Sequence, residues 1–388
     1  MKVLLLAGLI FVAGAAQSPP VSLGAFQNQS APAGNAAEIP AEFIGNLIFL
    51  PVRVNQKQPS LFVLDSTAAA SSISPARAAE LDLTNLHGAT LALPGAEFSL
   101  PQFASVADEN FESQVGRAHE GTLGIDFLSL AVVEIDYARQ TVRLYDPATF
   151  KFTGQSAPLP LTLSGGVPVV RAKFSVGGEH EHEADFVLDT ALQPAAILFE
   201  RYAESHRLFS AHLRTVSISD PEIENGAAVA IGRLHKFQLG RFPVSEPIAA
   251  FTRKNPATGS GADLAGSIGG ALLCRFTVTL DFAHKQIFLV PNSHFADQEQ
   301  EDKSGLSIVA QGSNLKIFRV TQVRPETPAA EAGIQRGDII AGINDEPAAD
   351  LTLESIRELF RRVGYKYKVL LDRNGQSVEV NFQTRRLL

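Results

Sequence analysis

The chain has a single cysteine, Cys274, in 388 residues. No internal disulfide can form, so packing and hydrogen bonds alone must hold the fold. Cys274 stands beside Leu272, Leu273 and Phe276, the setting of a small buried hydrophobe rather than a reactive thiol. No basic stripe exists and the net charge is -8, which excludes an ordinary nucleic-acid partner. No Gly-x-x-x-x-Gly-Lys loop is present to cradle phosphates. Gly259-Ser260-Gly261 lies in a run of loop composition and offers no serine nucleophile. His180-Glu181-His182 has the look of a metal pair, but it follows Gly177-Gly178 on an expected hairpin tip, with no third ligand in view. No run of residues here reads as a metal or organic-cofactor site. Charged residues are scarce at 19% and hydrophobic ones reach 45%, so the chain is ordered and can fill real cores. Its length suits two or three domains.

Long apolar runs are also missing, with one exception at the start. Met1-Lys2 precedes Val3 to Val12, and the small residues Ala13 to Ala16 follow. That pattern predicts a secretory signal peptide, residues 1–16, cleaved after Ala16. The apolar run is short for a spanning helix, though an uncleaved membrane anchor is the alternative. Residues 17–38 are rich in Ala, Gly, Pro, Ser, Asn and Gln and read as a flexible spacer. Their sequon, Asn28-Gln29-Ser30, has meaning only in a host that glycosylates. Helical periodicity is scarce, so the chain is expected to be mainly β, with short helices near Pro75 to Leu83 and Glu200 to Leu208.

What is present is a repeat. Phe62-Val63-Leu64-Asp65 recurs as Phe186-Val187-Leu188-Asp189, 124 positions later. A hydroxyl residue follows each aspartate, Ser66 or Thr190. Farther on, Leu123-Gly124 and Ile268-Gly269 each precede a predicted two-strand hairpin, from Val132 to Leu144 and from Thr277 to Leu289. Two β-rich units follow, residues 39–150 and 151–294. The second carries about 21 more residues between its aspartate and its glycine, and alternation around Thr215 to Ile231 predicts an added hairpin. Two such loops brought together would place two carboxylates side by side, where one can hold a proton while the other stays ionised.

Residues 295–303 are polar and acidic and read as a linker. A third unit, 304–388, contains Pro328-Ala329-Ala330-Glu331-Ala332-Gly333-Ile334-Gln335-Arg336-Gly337-Asp338-Ile339-Ile340 and a helical stripe of Leu353, Ile356, Leu359 and Phe360. Asp338 reads as a structural turn residue.

On these motifs, residues 39–294 resemble the retropepsin- and pepsin-like aspartic peptidases with both lobes in one chain. The third unit resembles a PDZ domain. The resemblance implies a mainly β fold, two-lobed and aspartic-peptidase-like, followed by an α+β PDZ domain. It implies Asp65 and Asp189 as the catalytic dyad, with Ser66 and Thr190 bracing the two loops, and an extended peptide or protein as substrate. It further implies that Gly305, Leu306, Ser307 and Ile308 form the loop and strand that receive a peptide C-terminus. The family has glycine after each Asp-Thr/Ser pair; here Thr67 and Ala191 stand instead. A β-branched threonine is expected to crowd the loop. If it displaces the carboxylates, the scaffold would bind peptides without cutting them, or act mainly through the PDZ unit. The surplus hairpin of the second unit is the expected cover over the site.

Overall fold

The computed structural model describes residues 36–83, 87–106, 109–177, 180–208, 215–219, 228–252 and 263–388. The expected signal peptide with its cleavage point, most of the spacer, the sequon and Gly259-Ser260-Gly261 lie outside the described residues. Among the described residues no helix is long and apolar enough to cross a membrane.

Alternation along a strand sends neighbouring side chains to opposite faces. The repeated Phe-Val-Leu run uses both faces. Phe62 and Leu64 enter the main core, while Val63 joins a satellite cluster with Leu47, Phe49 and Val115. In the second copy Phe186 and Leu188 enter the same main core, and Val187 packs with Val169, Phe199 and Leu264. A strand buried on both faces reads as a continuous apolar run. The strands Ser60–Leu64 and His182–Leu188 each lie parallel to a short closing strand, Gly121–Leu123 or Leu264–Ile268.

The first lobe is built on an eight-stranded sheet and the second on a ten-stranded one. The surplus of the second lobe is a hairpin, Thr215–Ser219 against Ala228–Arg233, and it extends the sheet beyond Ile248–Thr252. A third sheet of six strands joins the lobes. Val132–Asp136 of the first lobe pairs antiparallel with Phe276–Asp281 of the second, so the two predicted hairpins sit side by side. Ala36–Pro40 closes one edge of this sheet, so the last residues of the expected spacer are strand. The short helices are Pro75–Glu80, capped by Ser74 through the Arg77 amide, and Glu200–Ser205.

The C-terminal unit has its own core around Phe318, Val320, Ile340, Ile356, Phe360 and Val369. Its sheet runs from the edge strand Leu306–Gln311 through Ile317–Val323, Ile339–Ile343 and Lys366–Arg373 to Gln376–Gln383. The helix Leu353–Arg361 begins with a capping box between Thr352 and Ser355. Asp338 accepts from the Gln335 amide and the Arg373 guanidinium, as befits a turn brace.

The acidic stretch expected to be a linker is docked at both ends. Arg233 donates to the Glu299 carbonyl and the Glu301 carboxylate, and the Ile248 amide donates to Glu299. Lys303 is buried and donates to the carbonyl oxygens of Glu301 and Arg361. Its polar residues read as solvated, yet their charges are spent on fixing the C-terminal unit against the second lobe.

Candidate active site

Each aspartate sits where a buried strand ends and its loop turns back over the closing strand. The Asp65 amide donates to Leu123 O at 3.0 Å, and the Asp189 amide to Ile268 O at 2.9 Å. Gly124 and Gly269 follow at once and form the floors of the two loops. A Cβ on Gly124 would lie 2.6 Å from Ala68 O, and one on Gly269 would lie 2.3 Å from Pro194 O. Close backbone approach, not a special φ, is what demands glycine there.

The loops meet through their hydroxyls. Ser66 Oγ donates to Leu188 O at 2.7 Å and accepts from the Thr190 amide at 3.0 Å. Thr190 Oγ1 donates to Leu64 O at 2.7 Å and accepts from the Ser66 amide at 2.9 Å. Both side chains are fully buried, at 0% exposure. Each hydroxyl therefore uses donor and acceptor at once, and four backbone groups inside the lobe interface find partners. Unpaired, each would cost about 1–3 kcal/mol. This reciprocal lock fixes the two aspartates relative to one another.

The carboxylates differ in their surroundings. Asp65 Oδ1 accepts from the Thr67 amide at 2.7 Å, the Thr67 hydroxyl at 2.7 Å and the Ala68 amide at 3.2 Å. Donors aimed at one oxygen favour the ionised form. Asp189 Oδ1 accepts from the Ala191 amide at 3.0 Å, and the Leu192 amide also bonds to its carboxyl. Desolvation, followed by the nearby charge of Asp65, pushes the Asp189 carboxyl up to about 8 against those two amides. The two groups therefore titrate as a pair rather than as independent carboxyls.

Thr67 corrects the expectation of crowding. Its side chain turns back onto Asp65 and supplies a third donor, so the β-branched residue serves the loop it was expected to strain. Ala191 adds one methyl in a half-buried position. Sequence reasoning also missed Asp126. It accepts from the Ser71 amide at 2.9 Å and the Ser71 hydroxyl at 2.6 Å, while Ser71 Oγ accepts from Gly124 N at 3.0 Å. The only signal was its place just after Gly124-Ile125, where the second copy has Ala271.

The C-terminal loop departs from what the resemblance implied. The amides of Ser304 and Gly305 donate to Asp302 Oδ1, and the Leu306 amide to Ser304 Oγ. Gly305 is needed here, since its φ is +91° and a Cβ would lie 2.1 Å from Thr327 Oγ1. Ser307 O accepts from Thr321 Oγ1, and Ile308 O from Arg357. The Gly305 and Leu306 amides and the Ser307 and Ile308 carbonyls are thus held by the chain itself. His180-Glu181-His182 stays apart from the dyad: Glu181 pairs with Lys173 and Lys236, and His182 stacks on Phe174. Among the described residues no group of three or more His, Cys, Asp or Glu is placed to hold a metal.

Residues 319–371 match the family model of the PDZ domain. No curated protein matches the chain. Among solved structures it is similar to basic 7S globulin from soybean, at 10% identity and a TM-score of 0.40, over 69% of this chain and 99% of that one. It is also similar to the aspartic proteinase from Irpex lacteus, at 12% identity and a TM-score of 0.39, over 68% of this chain and 99% of that one. With its paired aspartate loops, glycine floors and shared sheet, the chain is a two-lobed, aspartic-peptidase-like β fold followed by a PDZ domain.

Proposed function

We propose that the protein is an exported aspartic-type endopeptidase that hydrolyses peptide bonds through a water activated between Asp65 and Asp189. The observation that carries this reading is the reciprocal Ser66–Thr190 lock, which holds the two carboxyls close enough for one charge to raise the other. In this reading Asp65, whose Oδ1 accepts from three donors, acts as the base and takes a proton from the water as the water attacks the scissile carbonyl. Asp189, protonated, donates a hydrogen bond to the carbonyl oxygen as negative charge develops there. The proton gained by Asp65 then passes to the leaving amine, and the dyad returns to one proton. The C–N bond breaks as that proton reaches the nitrogen, so water is added across the peptide bond and each proton moves through a named carboxyl. The surplus hairpin, whose tip at 220–227 lies outside the described residues, is proposed as the cover over an extended substrate. The PDZ domain is proposed to recognise a peptide C-terminus, and the N-terminal apolar segment to direct export.

Cleavage of an unfolded protein substrate, followed by mass spectrometry across a wide pH range, tests the reading. Asp65→Asn and Asp189→Asn should each lower the rate by roughly 10²–10⁴-fold, the range general acid–base groups supply. Cleavage unchanged in both variants, or absent from the parent at every pH, would leave a peptide-binding protein on the same scaffold.

A further inference from the structure

A PDZ-type groove reads its ligand with loop amides for the carboxylate and a free strand edge for the backbone. In this chain both are already in use. The Asp302 carboxylate accepts from the Gly305 amide at 2.7 Å, the Ser304 amide at 3.1 Å, the Ser304 hydroxyl at 2.9 Å and the Arg324 guanidinium at 3.1 Å. On the strand Leu306–Gln311, Ile308 and Ala310 lie two apart and present their carbonyls to the same edge. Ala310 O accepts from Ser113 Oγ at 2.7 Å, and Ile308 O from Arg357 Nη2 at 3.5 Å.

Ser113 belongs to the first lobe, on the helix Glu109–Val115. Arg357 belongs to the helix Leu353–Arg361, the groove's second wall, and the same Nη2 donates to Gln114 O at 2.6 Å. Gly116, at φ +76°, ends the lobe helix so close to that wall that a Cβ would lie 2.6 Å from Leu353 Cβ. The opposite face of the lobe helix is anchored in its own lobe, by Val115 in the cluster with Leu47 and Phe49 and by Phe111 against His119. The helix is thus clasped between the first lobe and the PDZ groove.

We propose that the PDZ groove is occupied from within, Asp302 standing for a ligand's C-terminal carboxylate and the lobe helix for its backbone, so that a peptide C-terminus binds only in exchange for both. Leu306, Ile308, Leu353 and Ile356 between strand and helix select an apolar last residue. The exchange reaches the dyad along the chain. The lobe helix leads into the strand Gly121–Leu123, whose Leu123 carbonyl holds the Asp65 amide, and then to Gly124 under the Asp65 loop. At the wall helix, Glu354 lies beside Gly45, which packs against Gln193 of the Asp189 loop. Release of the PDZ domain therefore loosens the ground beneath both aspartates.

The test uses the full-length chain and a Ser113→Ala/Arg357→Ala double variant, with Ser113→Ala alone as a milder second variant. A phage library displaying random free C-termini is selected on the double variant, and recovered peptides are made with free and with amidated ends. Fluorescence anisotropy should show the free-ended peptides binding the double variant about tenfold or more tighter than the parent, since the Ser113 bond to Ala310 and the Arg357 bonds to Gln114 and Ile308 are all lost. Ser113→Ala should fall between, and amidation should remove binding. Equal affinity for parent and variants overturns the proposal, as does a double variant that melts like the parent yet recovers no peptide. Adding a recovered peptide to the parent should also raise hydrogen exchange across residues 109–124; unchanged exchange there overturns the link to the Asp65 loop. Neither readout requires cleavage, so an inactive dyad leaves both outcomes decisive.

Discussion

The Asp65 loop and the Asp189 loop grow from the same Phe-Val-Leu strand, cross-bond through the same kind of hydroxyl and rest on the same close-approach glycine. They part company at the next residue. Thr67 gives its carboxylate a hydroxyl donor, while Ala191 can give only its amide. The floors differ as well, since Asp126 braces Ser71 in the first lobe and Ala271 stands at the matching place in the second. The lobes diverge again at their margins. The second adds a hairpin to its sheet, and the first sends a helix to the PDZ domain. A duplicated frame with unequal furnishings gives two identical carboxyls different sets of donors.

The likeness can be broken hardest at the lock. Ser66→Ala strips Leu188 O of its donor and the Thr190 amide of its acceptor, and Thr190→Val does the same to Leu64 O and the Ser66 amide. Each variant should lose about 2–5 kcal/mol in urea denaturation, with nearly equal losses if the lobes share the lock evenly. The protonation asymmetry comes next. Thr67→Val keeps the shape and removes the hydroxyl, so Asp65 should protonate at higher pH and the acid limb of the pH–rate profile should move toward neutral, with about a tenfold loss on that limb. Thr67→Ser should restore the parent profile.

Stability against pH offers a third handle. A carboxyl whose folded pKa lies above its unfolded value keeps its proton in the native state between the two values. Native stability therefore falls as pH rises from the ordinary aspartate range, about 4, toward the raised value near 8. Asp189→Asn should flatten that slope and raise the melting temperature at neutral pH; an unchanged slope in calorimetry would refute the upward shift of the Asp189 carboxyl. The smallest effect is expected at Arg171→Ala, which removes exposed pairs with Glu183 and Asp185 on the second lobe and should leave the melting temperature within error.

The meeting of the two aspartate loops was legible because they rest on short, repeated words: an apolar strand, an aspartate, a hydroxyl and, later, a glycine. Each word is local, and repetition places the two copies in equivalent positions. The use of Thr67 was not legible, because the sequence shows a branched side chain but not which way it turns. Asp302 was hidden in a run of polar and acidic residues in which nothing local marks the one that folds back onto its own loop. The bond from Arg357 to Gln114 spans 243 positions, and no periodicity reports a contact of that reach.

The six-stranded sheet shared by the lobes has a consequence for biogenesis. During synthesis the first lobe is complete well before Phe276–Asp281 leaves the ribosome, and until then Val132–Asp136 shows an open edge to its surroundings. An open edge is a template for any passing strand. The half-made protein thus depends on that edge being shielded until its second half arrives. A separately expressed first lobe should self-associate, and co-expression of the second half should rescue it as a monomeric pair.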